Sequence, residues 1–279
     1  MRILLTNDDG INAPGIRRAA QALIPYAELI VCAPDRERSG TGSAISLQAP
    51  ILADPAPGFP EGVTAFSVQG TPADCVILAL ERLVSGKIDL LVSGINAGAN
   101  LGDDIFVSGT VGAALQGYFR GIPSIAISVT ALSEVNFDSA AQLLTNLATE
   151  NHQFFQIHPL EIEKGGHSSQ TLNRAPLLNI NVPSIPMGEI DGIEITHLGK
   201  RSYSDDIQEG KVGRWKWYWI SRTKPQPESS PGTDISCIRN KRISVTPLHS
   251  DLTNIALFPS LESIKTKLSR GIVRRDSLS

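Results

Sequence analysis

The first half of the chain alternates short apolar runs with longer stretches in which apolar residues recur every three or four positions. The runs predicted as strands are 3–5, 29–32, 63–68, 88–92 and 125–129. The stretches predicted as helices are 14–23, 72–83, 111–119 and 139–149. Strands that are apolar along their whole length are typical of a parallel sheet buried on both faces. The alternation therefore predicts an α/β fold, with a mostly parallel sheet covered by helices on both faces.

The pattern weakens after about residue 150. The polar segment 159–174 contains a Gly-Gly pair, which indicates a surface loop, and 177–182 indicates one more strand. An aromatic stretch at 215–219 suggests an extended hairpin, and 243–246 reads as a short strand followed by a tail. We therefore divide the chain into a catalytic core and a C-terminal segment.

The boundary is placed at residue 185, with the core over 1–185 and the hairpin and tail over 186–279. Trp215, Trp217 and Trp219 alternate with other residues, so a strand would place all three indoles on one face. Large exposed apolar patches usually mark interfaces. The pattern predicts a homo-oligomer, a homodimer or homotetramer, assembled through this segment; hairpin packing and base stacking are the alternatives.

The composition of the chain excludes some classes of protein. Apolar residues make up 41% of the 279 positions and charged residues 19%, which excludes a disordered chain. The formal net charge of −3 argues against a nucleic-acid polymer as the main partner, because such proteins carry a basic excess. A small nucleotide substrate remains compatible with this charge, since a metal ion and backbone amides can neutralise its phosphate locally.

Three cysteines, Cys32, Cys75 and Cys237, are scattered without a C-x-x-C pair, which argues against structural zinc and fits a reducing compartment. The N-terminus leads directly into a strand-like run rather than a signal peptide. No apolar run approaches the roughly 20 residues of a membrane span. These features predict a cytoplasmic protein with no membrane partner.

Polar loops follow several predicted strands. In an open parallel sheet, ligands bind beyond the carboxyl ends of the strands. The loops are 7–10, 35–43 and 93–100, with the glycine-rich segment 108–112 opening the next helix. We expect these segments to lie along one edge of the sheet.

The adjacent carboxylates Asp8 and Asp9 have no basic neighbour in their loop. Burying two like charges together is costly unless a cation compensates. Carboxylate, amide and hydroxyl oxygens suit Mg²⁺ or Mn²⁺, and Ser39 and Asn96 add such oxygens from two other loops. The sequence therefore predicts a metal site; the alternative is that 7–10 is merely a turn that favours these residue types.

The segment 108–112 has the small side chains of an anion site at a helix N-terminus, where free backbone N–H groups favour phosphate. The alternative is an ordinary serine or threonine cap with glycines for close packing. The chain contains no G-x-x-x-x-G-K-[ST], G-x-G-x-x-G or G-x-S-x-G motif. No histidine precedes His152, which argues against a histidine-based phosphatase.

Several of these segments together resemble the SurE family of survival proteins. The matching segments are 1–15, 33–40, 70–75, 93–100, 108–114, 179–183, 201–203, 233–234 and 243–248. They cover nearly the whole chain in the family's order. The resemblance implies a Rossmann-like core, a C-terminal part that exchanges elements between subunits, and a nucleoside 5′- and 3′-monophosphate phosphatase, with short polyphosphate as a further candidate substrate.

The resemblance also implies the site residues. Asp8, Asp9, Ser39 and Asn96 would hold one divalent ion per subunit, Mg²⁺ or Mn²⁺, and the two aspartates would be catalytic as base or nucleophile. The residues expected on the phosphate side are Asn12, Gly40, Ser43, Ser108, Gly109 and Thr110.

Two other functions remain alternatives at this stage. A nucleotide-sugar transferase also uses a parallel sheet and acidic metal sites, but it needs a second acceptor to release its product. A non-catalytic nucleotide-binding stress-response module would bind without turnover in Mg²⁺ or Mn²⁺.

Overall fold

The computed structural model describes residues 1–130, 134–149, 175–202, 205–222, 226–227 and 230–268. Within these ranges nine strands form one sheet. The core strands are β1 Arg2–Thr6, β2 Glu28–Pro34, β3 Ala53–Pro55, β4 Thr64–Val68, β5 Leu90–Ala97, β6 Ser124–Thr130 and β7 Leu177–Pro183. The later strands of the sheet are β8 Ile193–Ile195 and β13 Ile243–Leu248. Their order across the sheet is β3-β4-β2-β1-β5-β6-β7-β13-β8.

The six strands from β4 to β7 in this order are parallel to one another. Their order, β4-β2-β1-β5-β6-β7, is that of the Rossmann fold, in which the chain reverses direction across the sheet between β1 and β5. The predicted α/β fold with a mostly parallel sheet is therefore confirmed. The crevice at the carboxyl ends of β1 and β5 is the place where such sheets bind ligands.

Helices cover both faces of the sheet. Their bounds are α1 Pro14–Leu23, α2 Pro72–Leu78, α3 Gly109–Phe119, α4 Asp138–Thr149, α5 Asp234–Arg239 and α6 Phe258–Leu268. A π-helical turn, Ala79–Leu83, continues α2 to the predicted end. Successive residues of β1 alternate between two buried clusters, one shared with α1 and α4 and the other with α2 and α3. Residues alternate in this way because side chains along a strand point to opposite faces.

Three features differ from the sequence prediction. The strand predicted at 88–92 continues as β5 to Ala97, so Asn96 lies within a strand rather than in the loop after it. The helices α5 and α6 occupy positions where no helix was predicted, α6 in the supposed tail. Beyond residue 185, β8 and β13 belong to the core sheet, with β13 antiparallel to β7.

The predicted hairpin is present as β10 Asp205–Val212 and β11 Trp215–Arg222, which pair antiparallel. Trp215 and Trp219 are 68% and 66% exposed. Trp217 packs across the ribbon onto Gly210, where a Cβ would lie 2.7 Å from the indole nitrogen. Gly210 is thus the position that allows one indole to lie flat on the hairpin. The two short strands β9 Arg201–Ser202 and β12 Gln226–Pro227 also pair antiparallel.

The chain divides into two compact units, Met1–Leu248 and His249–Ser279. The second unit contains α6, preceded by a short 3₁₀ turn. No helix in the described ranges is long and apolar enough to cross a membrane. The predicted surface loop at 159–174 lies outside the described residues.

Candidate active site

The loop after β1 carries Asp8 and Asp9 into the crevice. The side-chain amide of Asn7 donates to the carbonyl of Gly10 at 2.9 Å and closes the turn. Gly10 has a φ of +100°, and a Cβ there would lie 2.9 Å from the backbone of Arg36. The backbone N–H of Arg38 donates to the carbonyl of Asp8 at 2.7 Å. The loops after β1 and β2 are therefore held in contact by their backbones.

The carboxylate of Asp8 is only 4% exposed and lies at the N-terminus of α3. Its Oδ1 accepts a hydrogen bond from the Thr110 hydroxyl at 2.7 Å. Burial raises the pKa of Asp8 to about 6; the Thr110 hydrogen bonds oppose this shift and the charge of Asp9 adds to it. A Cβ on Gly109 would lie 2.8 Å from the Asp8 Cβ, so only glycine permits this approach.

Asp9 is half-buried and faces β5. Its Oδ2 accepts a hydrogen bond from the backbone N–H of Ala97 at 3.1 Å. Burial raises the pKa of Asp9, the Ala97 hydrogen bond lowers it, and the charge of Glu37 raises it further. Glu37 is thus a third carboxylate near the doublet. Sequence reasoning missed it, although it lies in the polar loop 35–43 that was singled out.

Asn96 follows an irregularity in β5 and directly precedes Ala97, whose N–H binds Asp9. The pairing of β5 with β6 shifts register between Ser93 and Asn96, and such bulges re-aim a side chain. The Asn96 amide nitrogen donates to the carbonyl of Gly98 at 2.8 Å, which leaves its oxygen for another ligand. Ser39 is exposed, and its hydroxyl bonds to Glu37 at 3.0 Å.

These residues fit a divalent cation. Arg36 and Arg38, in the loop after β2, both pair with Asp35, and in the described part of the chain neither Asp8 nor Asp9 forms an ion pair. Asp8 is buried and Asp9 half-buried, both have raised pKa values, and a cation would relieve the repulsion between their charges. No group of three or more His, Cys, Asp and Glu side chains in the described ranges is placed to hold a metal ion. The other predicted donors here are amide and hydroxyl oxygens, which suit Mg²⁺ or Mn²⁺.

The residues expected on the phosphate side have different surroundings. Ser108 caps α3 by accepting from the backbone N–H of Val111 at 3.2 Å, and the Thr110 side chain is fully buried against Asp8. Asn12 is exposed, and its side-chain oxygen accepts a hydrogen bond from Arg17. Gly40 and Ser43 are exposed in the loop after β2.

That loop is held against α3 by its backbone. The N–H of Gly42 donates to the carbonyl of Val107 at 3.0 Å. A Cβ on Gly112 would lie within 2.9 Å of the Ser43 nitrogen, so the glycine allows the loop to cross the first turn of α3. The loop after β2 thus lies directly over the N-terminus of α3.

Two buried asparagines of β7 hold the loop after β5, and the sequence analysis assigned them no role. Asn179 and Asn181 of β7 are fully buried and hydrogen-bond to the backbone of Asn100. The signal was present in the sequence as two asparagines at alternate positions of an otherwise apolar strand, which places both on one face.

Comparison with known proteins gives a consistent result. The family model described as Survival protein SurE matches residues 3–205. The 5′-nucleotidase SurE of Dehalococcoides mccartyi strain CBDB1 is 40% identical over 260 residues, which are 92% of each chain. The 5′-nucleotidase SurE of Geobacter sulfurreducens is 42% identical over 265 residues, 94% of this chain and 93% of that protein.

A solved structure agrees with these sequence matches. The crystal structure of the SurE protein from Aquifex aeolicus superposes with a TM-score of 0.74 at 33% identity, and the match covers 95% of this chain and 100% of that one. The family model and the relatives span the loops that build the crevice. The resemblance seen in the sequence motifs is thereby confirmed, and the chain belongs to the SurE family.

Proposed function

We propose that this chain hydrolyses nucleoside monophosphates to a nucleoside and phosphate at a divalent-metal site in the β1–β5 crevice. Two relatives that are 40% and 42% identical to this chain, each over more than nine-tenths of its length, are named 5′-nucleotidase SurE. The chain is therefore assigned as a 5′-nucleotidase. The observation that supports the metal site is the adjacent pair of carboxyls, Asp8 buried and Asp9 half-buried, which have raised pKa values and no basic partner among the described residues.

Asp8, Asp9, Asn96 and Ser39 would hold the ion, one per subunit, and we propose Mg²⁺ or Mn²⁺. When bound, such an ion supplies positive charge against phosphoryl oxygens and lowers the pKa of a water molecule. The hydroxyl of Ser39 bonds to Glu37, so it would have to turn from that carboxylate to act as a ligand.

The carboxylates of Asp8 and Asp9 differ in how easily each could accept a proton from water. Asp8 Oδ1 is occupied by the Thr110 hydroxyl, and the residue is almost fully buried. Asp9 is half-buried, so a water molecule can reach its carboxylate, and its pKa is raised as well. We assign proton acceptance from the attacking water to Asp9 and ion binding mainly to Asp8.

The phosphate would lie between the first turn of α3 and the loop after β2. Backbone N–H groups at a helix N-terminus stabilise the negative charge of a transferring phosphoryl group. Ser108, Gly109 and Thr110 contribute that backbone, while Gly40 and Ser43 approach from the loop above it. Asn12, exposed beside Arg17, would contact the rest of the nucleotide.

A phosphate-release assay tests this function. The chelated protein is incubated with 5′- and 3′-nucleoside monophosphates, p-nitrophenyl phosphate and short polyphosphate, and then Mg²⁺ or Mn²⁺ is restored. Release from the monophosphates only after ion addition is the expected result. Full activity in a metal-free preparation contradicts the metal site, and binding of the nucleotides without release contradicts the enzyme assignment.

We further propose that copies of the chain assemble as a homodimer or homotetramer through the β10–β11 hairpin and the segment after Leu248. The support is the exposed apolar surface of the hairpin, including Trp215 and Trp219. A cytoplasmic location is proposed on the strength of three free, buried cysteines, which fit a reducing compartment.

A further inference from the structure

A continuous set of buried hydrogen bonds runs from Asp8 across the sheet to β7. It begins with the Thr110 hydroxyl, which donates to Asp8 Oδ1 at 2.7 Å. The Asn100 amide nitrogen lies 3.4 Å from Thr110 Oγ1 and donates to Ser128 Oγ at 2.8 Å. The exposed fractions of these four side chains are 4% for Asp8, 0% for Thr110 and Ser128, and 7% for Asn100.

The direction of these bonds follows from their chemistry. The amide nitrogen of Asn100 is only a donor, so the oxygen of Thr110 must act as the acceptor in their contact. The single hydroxyl hydrogen of Thr110 is then left for the carboxylate of Asp8. Although the 3.4 Å contact is long for a hydrogen bond, it defines which way the hydroxyl points.

Asn100 is in turn held by two side chains of β7. The side-chain amide of Asn181 pairs with both backbone groups of Asn100: its oxygen accepts from the N–H and its nitrogen donates to the carbonyl, each at 2.9 Å. Asn179 donates to the same carbonyl at 2.8 Å. The backbone of Asn100 is therefore fixed to the sheet from one strand.

The buried asparagines of β7 cost free energy that packing alone does not explain. Burying an amide costs free energy unless all its groups are hydrogen-bonded, and Asn179 Oδ1 remains buried without a partner in the described part of the chain. The residues that pair with these asparagines on the two neighbouring strands are small or carry hydroxyl groups: Ala126 and Ser128 on β6, Ser244 and Thr246 on β13. A polar cluster at this place needs a reason beyond stability, and its outer end is the carboxylate of Asp8.

We propose that Thr110 and Asn100 are positioning residues for Asp8: Asn181 and Asn179 anchor Asn100, Asn100 orients the Thr110 hydroxyl, and that hydroxyl fixes the Asp8 carboxylate for the divalent ion. The proposal rests on the metal site proposed above. It explains why Thr110 is fully buried rather than open to the substrate. Removing the hydrogen-bond partner of a metal-binding side chain typically weakens the metal site by roughly 10- to 100-fold.

Manganese binding to the chelated full-length protein tests this directly. Free Mn²⁺ is measured by electron paramagnetic resonance during titration of wild type, Thr110→Val, Thr110→Ser and Asn100→Ala. We expect the Kd for Mn²⁺ to rise at least about tenfold in Thr110→Val, to return close to the wild-type value in Thr110→Ser, and to rise by a smaller factor in Asn100→Ala. At saturating Mn²⁺, Thr110→Val should lower kcat more than it raises KM for AMP.

Thr246→Val is the matched control. Thr246 is 2% exposed and bonds through its hydroxyl to Thr196 at 2.7 Å. It lies on β13 beside Asn179, so its substitution perturbs the same polar region without removing any of the hydrogen bonds that join Asn100, Thr110 and Asp8. Loss of the Thr246 hydroxyl should lower the melting temperature without changing the Kd for Mn²⁺.

An unchanged Kd in Thr110→Val, or an equal change in Thr246→Val, overturns the proposal. If Thr110→Val fails to fold, Asn100→Ala decides, because it keeps the backbone groups that pair with Asn181, and a wild-type Kd there also overturns it. Since binding is measured without turnover, a protein that binds Mn²⁺ but releases no phosphate contradicts the proposed function alone. A wild type that does not bind Mn²⁺ contradicts both.

Discussion

Asp8 illustrates how a site residue can oppose the stability of its own fold. Burial raises its pKa from 3.8 to about 6. Because the folded protein binds this proton more tightly than the unfolded chain does, the free energy of unfolding falls as the pH rises from about 4 to about 6 and is level above that range. A shift of roughly two units corresponds to about 3 kcal/mol. A bound cation would offset this cost.

The substitution Asp8→Asn should therefore stabilise the chelated protein while removing its activity. At pH 8 we expect a free energy of unfolding about 1–3 kcal/mol above wild type, and a difference that vanishes near pH 4, where the aspartate is protonated. Urea unfolding at pH 4, 6 and 8 measures this, beside phosphate release with Mn²⁺. Asp103→Asn, which removes an exposed charge, is the control. Near-normal turnover in Asp8→Asn would show that the site is assigned wrongly.

Gly109→Ala tests how closely α3 must approach Asp8. The added methyl group would lie 2.8 Å from the Asp8 Cβ and 2.9 Å from its Oδ2, so the carboxylate must move. We expect turnover to fall by about a hundredfold, the effect of roughly 1 Å of misplacement in an active site. Gly188→Ala, which meets nothing within 4 Å, should leave turnover unchanged. Equal activities in the two variants would argue against contact between Gly109 and the working form of Asp8.

At the scale of single residues, the sequence predicts which residue types form the site better than it predicts which residues they contact. The doublet, Ser39 and Asn96 are oxygen donors at the ends of apolar runs, and that much is visible in the sequence. Thr110 bonds to a residue 102 positions away. Such a contact depends on how two strands and a helix approach one another, which residue spacing does not encode.

Among the elements, α2 shows how a helix start can also hold a loop. Thr71 and Asp74 form a reciprocal cap at the start of α2. Asp74 is 2% exposed and also accepts hydrogen bonds from the backbone and hydroxyl of Ser46. Burial alone would raise the pKa of Asp74, but the hydrogen bonds from Ser46 and Thr71 outweigh it and lower the pKa. The far end of the loop that carries Ser39 is thus attached to α2.

Asp74→Ala should destabilise the fold and loosen that loop. The loss of a cap costs about 0.5–2 kcal/mol, and the loss of charged hydrogen bonds adds to it, so we expect at least about 2 kcal/mol in total. KM for AMP should rise as well, because Ser46 continues the loop from Ser43. Denaturation and steady-state kinetics measure both effects. The first-turn Asp138, whose ion pair with Arg18 is exposed, serves as the control, and Asp138→Ala should cost less than about 0.5 kcal/mol. A loss of stability with an unchanged KM for AMP would show that the cap of α2 does not influence substrate binding.

Helices and strands were predicted correctly where residues close in sequence determine the structure. Helix α1 has the predicted bounds, Pro14–Leu23, since proline begins it and the apolar residues repeat at helical spacing. The end of β5 was wrong because Ser93, Gly94 and Asn96 are typical of loops. Their inclusion in a strand reflects pairing with β6, a tertiary effect that overrides local preference.

For the whole molecule, alternating runs predict the class of fold but not the order of strands. The order requires knowing which strands are neighbours, and β13 lies beside β7 although about 60 residues separate them in sequence. The chain after residue 185 thus contributes to the core sheet as well as to the hairpin. A truncation at that point would remove β13, so the test of assembly has to use point substitutions.

Assembly through the hairpin predicts that Trp215→Ser with Trp219→Ser separates the copies. An aromatic side chain buries about 150–250 Å² at an interface. At about 25 cal/mol per Å², two of them contribute roughly 7–12 kcal/mol as an upper bound, so even a small part of this should weaken association more than a hundredfold. Trp217 is retained because it packs on Gly210 and supports the hairpin itself.

Sedimentation at micromolar concentration should then show an oligomer for wild type and a species near 29.9 kDa for the double variant. Leu47→Ser, at a position 82% exposed and outside the hairpin, controls for the loss of apolar surface and should sediment like wild type. Phosphate release by each species then shows whether assembly is needed for activity. An active wild-type protein that sediments as a single monomer contradicts the assembly proposal, because the indoles would then remain exposed in the working enzyme.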